Sequence, residues 1–248
     1  MAQSDKSHWQ EGGSLYSAGR PTYPEELAAE LAAIAPSRDH ALDVACGTGQ
    51  LTDLLGRHMD KVTGTDISAD QIANAKPADN ITYYEAPAES SGLSDKSVSL
   101  ITVAQAAHWL DLPAFYKEAR RIAKDNAVIA LITYGVMETD GGAGERILDF
   151  YWKDIHRFWP AGRAHVENAY RDLPFPFDTL EIKPLAIERQ WDRAAFLNYL
   201  ATWSAVKEAK KQGANDIITA FIDDLETLLP DGTTVNISWP ISVRLGRV

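Results

Sequence analysis

The sequence predicts an α/β fold, doubly wound around a mostly parallel, seven-stranded Rossmann-like sheet, with a helical cap inserted after the fifth strand. Three observations predict it. Short apolar runs alternate with helical stretches as far as residue 135, the rhythm of βαβ units. Two of those runs, VSLITVA and AVIALITY, are apolar without interruption, as in strands covered on both faces. A glycine turn at Gly47–Gly49 follows the first run and leads into a helix-forming segment, at the sheet edge where such folds bind ligands.

The elements follow in order. Pro24 suits a first helical position, and Leu27, Leu31 and Ile34 recur on one helical face. Strand-like runs occupy 40–45, 61–66, 81–85, 97–104 and 127–134, with helical stretches near 50–58, 69–76 and 113–124 between them. After Tyr134 the rhythm breaks. Gly141, Gly142 and Gly144 read as a flexible joint. Residues 145–159 read as one amphipathic helix with Leu148, Tyr151, Trp152, Ile155 and Trp159 on roughly one side. A Pro- and Phe-rich loop at 173–178, a strand at 182–191, helices at 193–211 and 215–229 and a last strand at 234–247 complete the chain. Pro240 cannot donate to a ladder, so a bulge or bend is expected there. The division is a cofactor-binding core with an N-terminal cover segment over 1–135. A helical cap plus the last two strands of the same sheet follow over 136–248.

Composition narrows the function classes. The chain has 248 residues, 45% hydrophobic and 24% charged, which is ordinary for a globular protein with a full core. A net charge of −11 argues against nucleic acid as partner, because phosphate binding needs clustered Lys and Arg. The one cysteine, Cys46, excludes an internal disulfide, and no Cys/His spacing suggests a metal site. Residues 1–11 are polar and no apolar run approaches ~20 residues, so a cytoplasmic protein without a membrane partner is expected. Its expected partner is a small molecule; oligomeric state is not legible.

The segment LDVACGTGQL at 42–51 carries the most chemistry. Glycine at 47 and 49 lets backbone approach a ligand where a side chain would block it. Such a loop alone fits several nucleotide cofactors. Asp43 discriminates among them. Beside a pyrophosphate on a helix N-terminus a carboxylate would repel the ligand. A cofactor with a sulfonium and a free ammonium group would be attracted, which points to S-adenosyl-L-methionine. The alternative for Asp43 is a strand-end residue capping the next turn.

Four ordered motifs, LDVACGTGQL, VTGTDIS at 62–68, APAES at 86–90 and AQAAHWLD at 104–111, resemble the class I S-adenosylmethionine-dependent methyltransferases of the type 11 group. The likeness covers about residues 14–135. RPTYP at 20–24 with AQAAHW is similar to a narrower set that includes trans-aconitate methyltransferase-like proteins. The resemblance implies that Asp43 faces the methionine end and that Gly47 and Gly49 approach it, with Ala45 standing where the family often has glycine. It implies that Asp66 accepts from the ribose hydroxyls, Ile67 packs on the adenine face, and Ala88 and Glu89 meet the adenine edge. Pro87 replaces a more usual Asp. Tyr16 and Arg20 belong to a segment that folds over the cofactor, where Arg20 is a partner for the methionine carboxylate or a surface helix cap. Gln105 and His108 follow the fourth strand where cofactor and substrate should meet. His108 is the candidate catalytic base, or else it anchors its loop.

Methyl transfer from a sulfonium needs alignment and exclusion of water more than acid–base chemistry. The lack of an evident acid–base pair favours O-methylation of a carboxylic acid, which is already ionised at neutral pH. Arg157, Arg163, Arg171, His156 and His165 in the cap are candidates to neutralise an acidic substrate, beside aromatic surface from Trp152, Phe158, Trp159, Phe175, Phe177 and Trp203. Two other readings share parts of the pattern: an S-adenosylmethionine-binding protein without catalysis, and an NAD-dependent oxidoreductase. Against the latter, Thr52 stands at the third glycine of the dinucleotide pattern.

Overall fold

The computed structural model describes residues 21–248. Its core opens with α1 (Glu25–Ile34), β1 (Ala41–Val44), α2 (Gln50–Gly56), β2 (Val62–Asp66), α3 (Ala69–Ala73) and β3 (Ile81–Glu85). It continues with β4 (Val98–Ala104), α4 (Leu112–Ile122) and β5 (Ala123–Tyr134). The sheet runs in the order β3-β2-β1-β4-β5, all parallel, and then meets the antiparallel β9 (Val235–Arg247). One edge of β9 holds β5 and the two-residue β6 (Glu138–Thr139); the other holds β7 (Asp178–Leu180) and β8 (Leu185–Trp191). The seven expected positions are thus filled by nine strands, because two positions are shared by broken strands.

The uninterrupted apolar runs have a direct physical reading. Along β5, Val128, Ala130 and Ile132 enter one hydrophobic cluster, while Ala127, Ile129 and Leu131 enter another on the opposite face. Alternate side chains therefore meet different cores, and none meets water. The first cluster takes Leu27 and Leu31 of α1, Leu51 and Leu55 of α2, and the cap; the second takes Phe115, Ala119 and Ile122 of α4.

Several boundaries differ from the sequence reading. Gly141–Gly144 is no loose joint but the first turn of α5 (Gly141–Asp149). A Cβ on Gly144 would lie 2.8 Å from Thr139 Oγ1, so this glycine marks close packing. The expected single helix 145–159 gives way after Asp149 to a π-helical turn at Phe150–Asp154 and a 3₁₀ turn at His156–Phe158. There the Phe150 ring stacks on Phe221 at 3.9 Å. α6 (Arg163–Glu167) follows. The expected helix 193–211 is two: α7 (Arg193–Leu200), capped by Asp192 on the Ala195 N–H, and α8 (Ser204–Lys211). Between them Thr202 turns its hydroxyl onto the Tyr199 carbonyl and Trp203 is buried, so side-chain bonding and core packing outweigh helical continuity. α9 spans Asn215–Leu228.

β9 runs through Pro240 with unbroken register against β8. The irregularity lies across from it, where the step from Tyr134 to Glu138 is matched by the shorter step from Ile241 to Ser238. Among the described residues, no helix is long and apolar enough to cross a membrane.

The packing of Gly144 makes a prediction with a definite sign. Gly144→Ala should destabilise the protein by about 1–3 kcal/mol in urea unfolding, the usual cost of overpacking. A loose joint would instead gain about 1 kcal/mol from the better helix former.

Candidate active site

One row of side chains crosses the sheet at its carboxyl edge. Thr102 on β4, Asp43 on β1, Gly64 on β2 and Tyr83 on β3 are successive register partners. Asp43 is 1% exposed, and its two carboxylate oxygens accept from Thr52 Oγ1 of α2 at 2.6 Å and Thr102 Oγ1 at 2.7 Å. Burial raises its carboxyl to about 6, and the nearby Asp66 charge adds to this, against the two threonine hydrogen bonds. Gly64 makes room for the Tyr83 ring, which a Cβ would approach at 2.7 Å. The same ring fills the space beneath the glycine loop.

That loop holds three left-handed residues: Ala45 at φ 53°, Gly47 at 57° and Gly49 at 83°. Ala45 takes this conformation with a Cβ, at a cost of roughly 1–2 kcal/mol. The two glycines serve different ends. A Cβ on Gly49 would fall 2.3 Å from the Tyr83 hydroxyl, so Gly49 is required by the fold. A Cβ on Gly47 would meet only Gln71 Oε1 at 3.8 Å, so that side of Gly47 faces open space. Asp66 ties the loop down, its Oδ2 accepting from the Gly47 N–H and its Oδ1 from the Ser68 N–H, each at 2.9 Å. An Asp66 without protein partners, as a ribose-only role implies, is therefore corrected: it also holds two backbone donors.

The loop borders a cavity of about 240 Å³ lined by Asp43, Ala45, Gly47, Asp66, Ile67, Ala88 and Gln105 among the sequence-derived candidates. Ile67 is 60% exposed, an apolar side chain presented at the cavity wall. Gly49 lies behind the lining. Glu89 is exposed and does not line the cavity, because the chain turns at Pro87 and only Ala86 and Ala88 face inward. Tyr16 and Arg20 lie outside the described residues. Gln71, Leu110 and Tyr134 also line the wall. They come from three separate elements and share no motif, so only the topology brings them together. Cys46 is a lining residue whose thiol burial pushes well above its ordinary pKa, so it is unreactive.

A second cavity, of about 100 Å³, adjoins the first, with Gln105, Trp109 and Tyr134 lining both. Gln105 is held at φ 56° with its amide turned to β5: Nε2 donates to the Tyr134 carbonyl at 3.0 Å and Oε1 accepts from Thr133 at 2.9 Å. His108 lines this second cavity rather than the first. Its Nδ1 is 2.8 Å from Tyr170 Oη, and burial, with the charges of His165 and Arg163, lowers its pKa to about 4. It is an uncharged imidazole at neutral pH. Trp159, Arg163, Tyr199 and Trp203 from the cap also line it, and among the described residues no carboxylate does. Of the five cap cations and histidines singled out by sequence, only Arg163 reaches this cavity. Arg157 lies exposed over Phe158, Arg171 is exposed, His156 faces Glu167 and His165 pairs with Asp172.

Known proteins resemble this chain in sequence and in fold. The profile of the family described as "Methyltransferase domain" matches residues 42–131. The chain is 30% identical over 236 residues to a Dictyostelium discoideum protein provisionally named a methyltransferase, covering 92% of this chain and 90% of that one. It is 40% identical to a solved structure from Anaeromyxobacter dehalogenans, provisionally named a type II methyltransferase, with a TM-score of 0.87 over 92% of this chain and 97% of that one. A Saccharomyces cerevisiae protein, named provisionally an S-adenosylmethionine-dependent methyltransferase, is 27% identical over 128 residues, 48% of this chain and 44% of that one.

Two variants test the clamp around the loop. Asp66→Ala should destabilise the ligand-free protein by about 1–3 kcal/mol, because two backbone donors lose their acceptor; an unchanged urea midpoint would make both contacts dispensable. Asp43 has a folded pKa raised from 3.8 to about 6, so its contribution is fully present below pH 3.8 and is lost as pH rises through 6. Urea unfolding from pH 4 to 7 should therefore show wild type losing stability relative to Asp43→Asn. A constant difference across that range would contradict the assignment.

Proposed function

We propose, because this chain belongs to the S-adenosylmethionine-dependent methyltransferases, that it methylates a carboxylate oxygen of a small organic acid seated in the second cavity. The observation that carries this reading is the adjacency of the two cavities across Gln105, Trp109 and Tyr134, with a guanidinium and, among the described residues, no carboxylate lining the second. When bound, S-adenosyl-L-methionine would supply an electrophilic methyl carbon. The carboxylate oxygen would form the new O–C bond as the C–S bond breaks, with that electron pair left on sulfur as a neutral thioether. The acid becomes a neutral methyl ester, and no proton moves.

The residues of the first cavity fit this cofactor. Asp43 is a buried carboxylate with hydroxyl partners and, among the described residues, no cation beside it, which suits an ammonium group. The open side of Gly47 admits the methionine portion against backbone. Each Asp66 oxygen, after accepting one backbone N–H, has a lone pair left for a ribose hydroxyl. Ile67 offers an apolar face for adenine and Ala88 a small wall beside it. The role of the chain is to align and to exclude water. In this reading the segments 136–178 and 193–229 act as the cap, supplying Trp159, Arg163, Tyr199 and Trp203 to the acceptor side.

His108 orients the acceptor instead of taking a proton from it. An imidazole with pKa about 4 is too weak a base to deprotonate a phenol or amine efficiently, and a carboxylate does not need one. Transfer of an isotope-labelled methyl group to a panel of small acids, read by mass spectrometry, should yield methyl esters. With S-adenosyl-L-methionine saturating, its ammonium group holding Asp43 ionised, the rate should be nearly flat from about pH 6 to 8, without an inflection near the ordinary histidine pKa of ~6.5. His108→Gln should keep the rate within about tenfold. A loss of roughly 10²–10⁴, the range for a general base, or methylation of phenols and amines alone, would overturn the carboxylate assignment.

A further inference from the structure

We infer that Arg163 is the specificity-determining residue for the acceptor, binding an anionic oxygen group on a small, flat, apolar body. The inference rests on the acceptor reading above and deepens it. Arg163 is the only cation lining the second cavity among the described residues. Its side chain is 20% exposed, so the guanidinium is largely out of water. Its orientation is fixed on one side only. Nε donates to Tyr151 Oη at 2.7 Å, and the plane lies over the Trp159 ring at 4.6 Å.

Glu167 is the acid nearest to it, but that charge is already engaged. Tyr151 donates to Glu167 Oε1 at 2.5 Å, and His156 Nε2 stands 3.3 Å from both carboxylate oxygens. Toward Arg163, Glu167 comes no closer than 3.7 Å, at Nε, and no hydrogen bond joins the two. No hydrogen bond joins the terminal nitrogens of Arg163 to any described residue. A largely buried guanidinium with an idle fork is costly unless something accepts from it, and a carboxylate matches that fork.

Two further observations point the same way. The indole N–H of Trp159, in the same wall, is buried with no acceptor. The chain carries 35 acidic against 24 basic residues, so a lining that among the described residues has a guanidinium and no carboxylate is not a by-product of composition. Trp109, Trp159, Trp203, Tyr134 and Tyr199 line the same cavity, and the guanidinium lies over the Trp159 ring, which favours a planar apolar body. The cavity volume of about 100 Å³ suits a small body.

The test uses benzoate and phenylacetate against benzamide and phenylacetamide, titrated calorimetrically into the full-length protein with S-adenosylhomocysteine present. Wild type should bind each acid about tenfold or more tighter than its amide, the range for a hydrogen bond to a charged group. Arg163→Gln should erase that preference, and Arg163→Lys, which keeps the charge without the fork, should retain part of it. Both variants should bind S-adenosylhomocysteine as wild type does. Equal binding of acids and amides by wild type, or an undiminished preference in Arg163→Gln, would overturn the inference. If Arg163→Gln does not fold, judged by circular dichroism, the Arg163→Lys comparison decides. Loss of S-adenosylhomocysteine binding by wild type would strike the cofactor reading alone, since the acid preference is measured separately.

Discussion

A carboxylate almost without exposure, Asp43, sits between the hydroxyls of Thr52 and Thr102 and joins β1, α2 and β4 at the edge where ligands bind. Burying a charge with only neutral donors is unfavourable, and its pKa of about 6 records that. Around this group the rest of the edge is arranged. Gly64, its register partner, leaves room for Tyr83. Tyr83 in turn forces position 49 to be glycine, and the left-handed path through Ala45, Gly47 and Gly49 leads the chain into α2. Asp66 completes the arrangement by holding the Gly47 N–H from the next strand. An anionic pair, Asp43 and Asp66, is thus kept close together at a site whose proposed ligand carries the compensating positive charge.

The acceptor side uses the opposite sign. His108 is kept uncharged by burial and by neighbouring positive charge, and Arg163 is held by Tyr151 and Trp159 beside an otherwise occupied Glu167. Tyr151 remains a phenol because burial raises its pKa, so it can serve as acceptor for Arg163 and donor to Glu167 together. The boundary between the two regions is carried by Gln105. Its side chain is spent on Thr133 and the Tyr134 carbonyl, which fixes the loop ahead of His108. Negative groups on one side and a positive group on the other would orient a cationic methyl donor and an anionic acceptor toward the same boundary.

The sequence, by itself, determined the sheet and the cofactor edge. Period-two burial in strands covered on both faces leaves a continuous apolar run, as in β4 and β5. A glycine turn between a strand and a helix is local chemistry readable from its own residues. Asp43, Gly47, Asp66 and Ile67 were legible because each lies beside a strand end, where the fold dictates direction. Tertiary structure alone decided the rest. Whether Asp66 has protein partners depends on where the Gly47 N–H points, and whether Glu89 faces inward depends on the turn at Pro87. Gly144 reads as a hinge in one dimension and as a packed contact once Thr139 is beside it. The choice of Arg163 among several cap cations required knowing which carboxylates were already paired. Pairings between residues distant in sequence, set by packing of separate helices, leave no periodic trace in the chain, and that is why only the folded structure contains them.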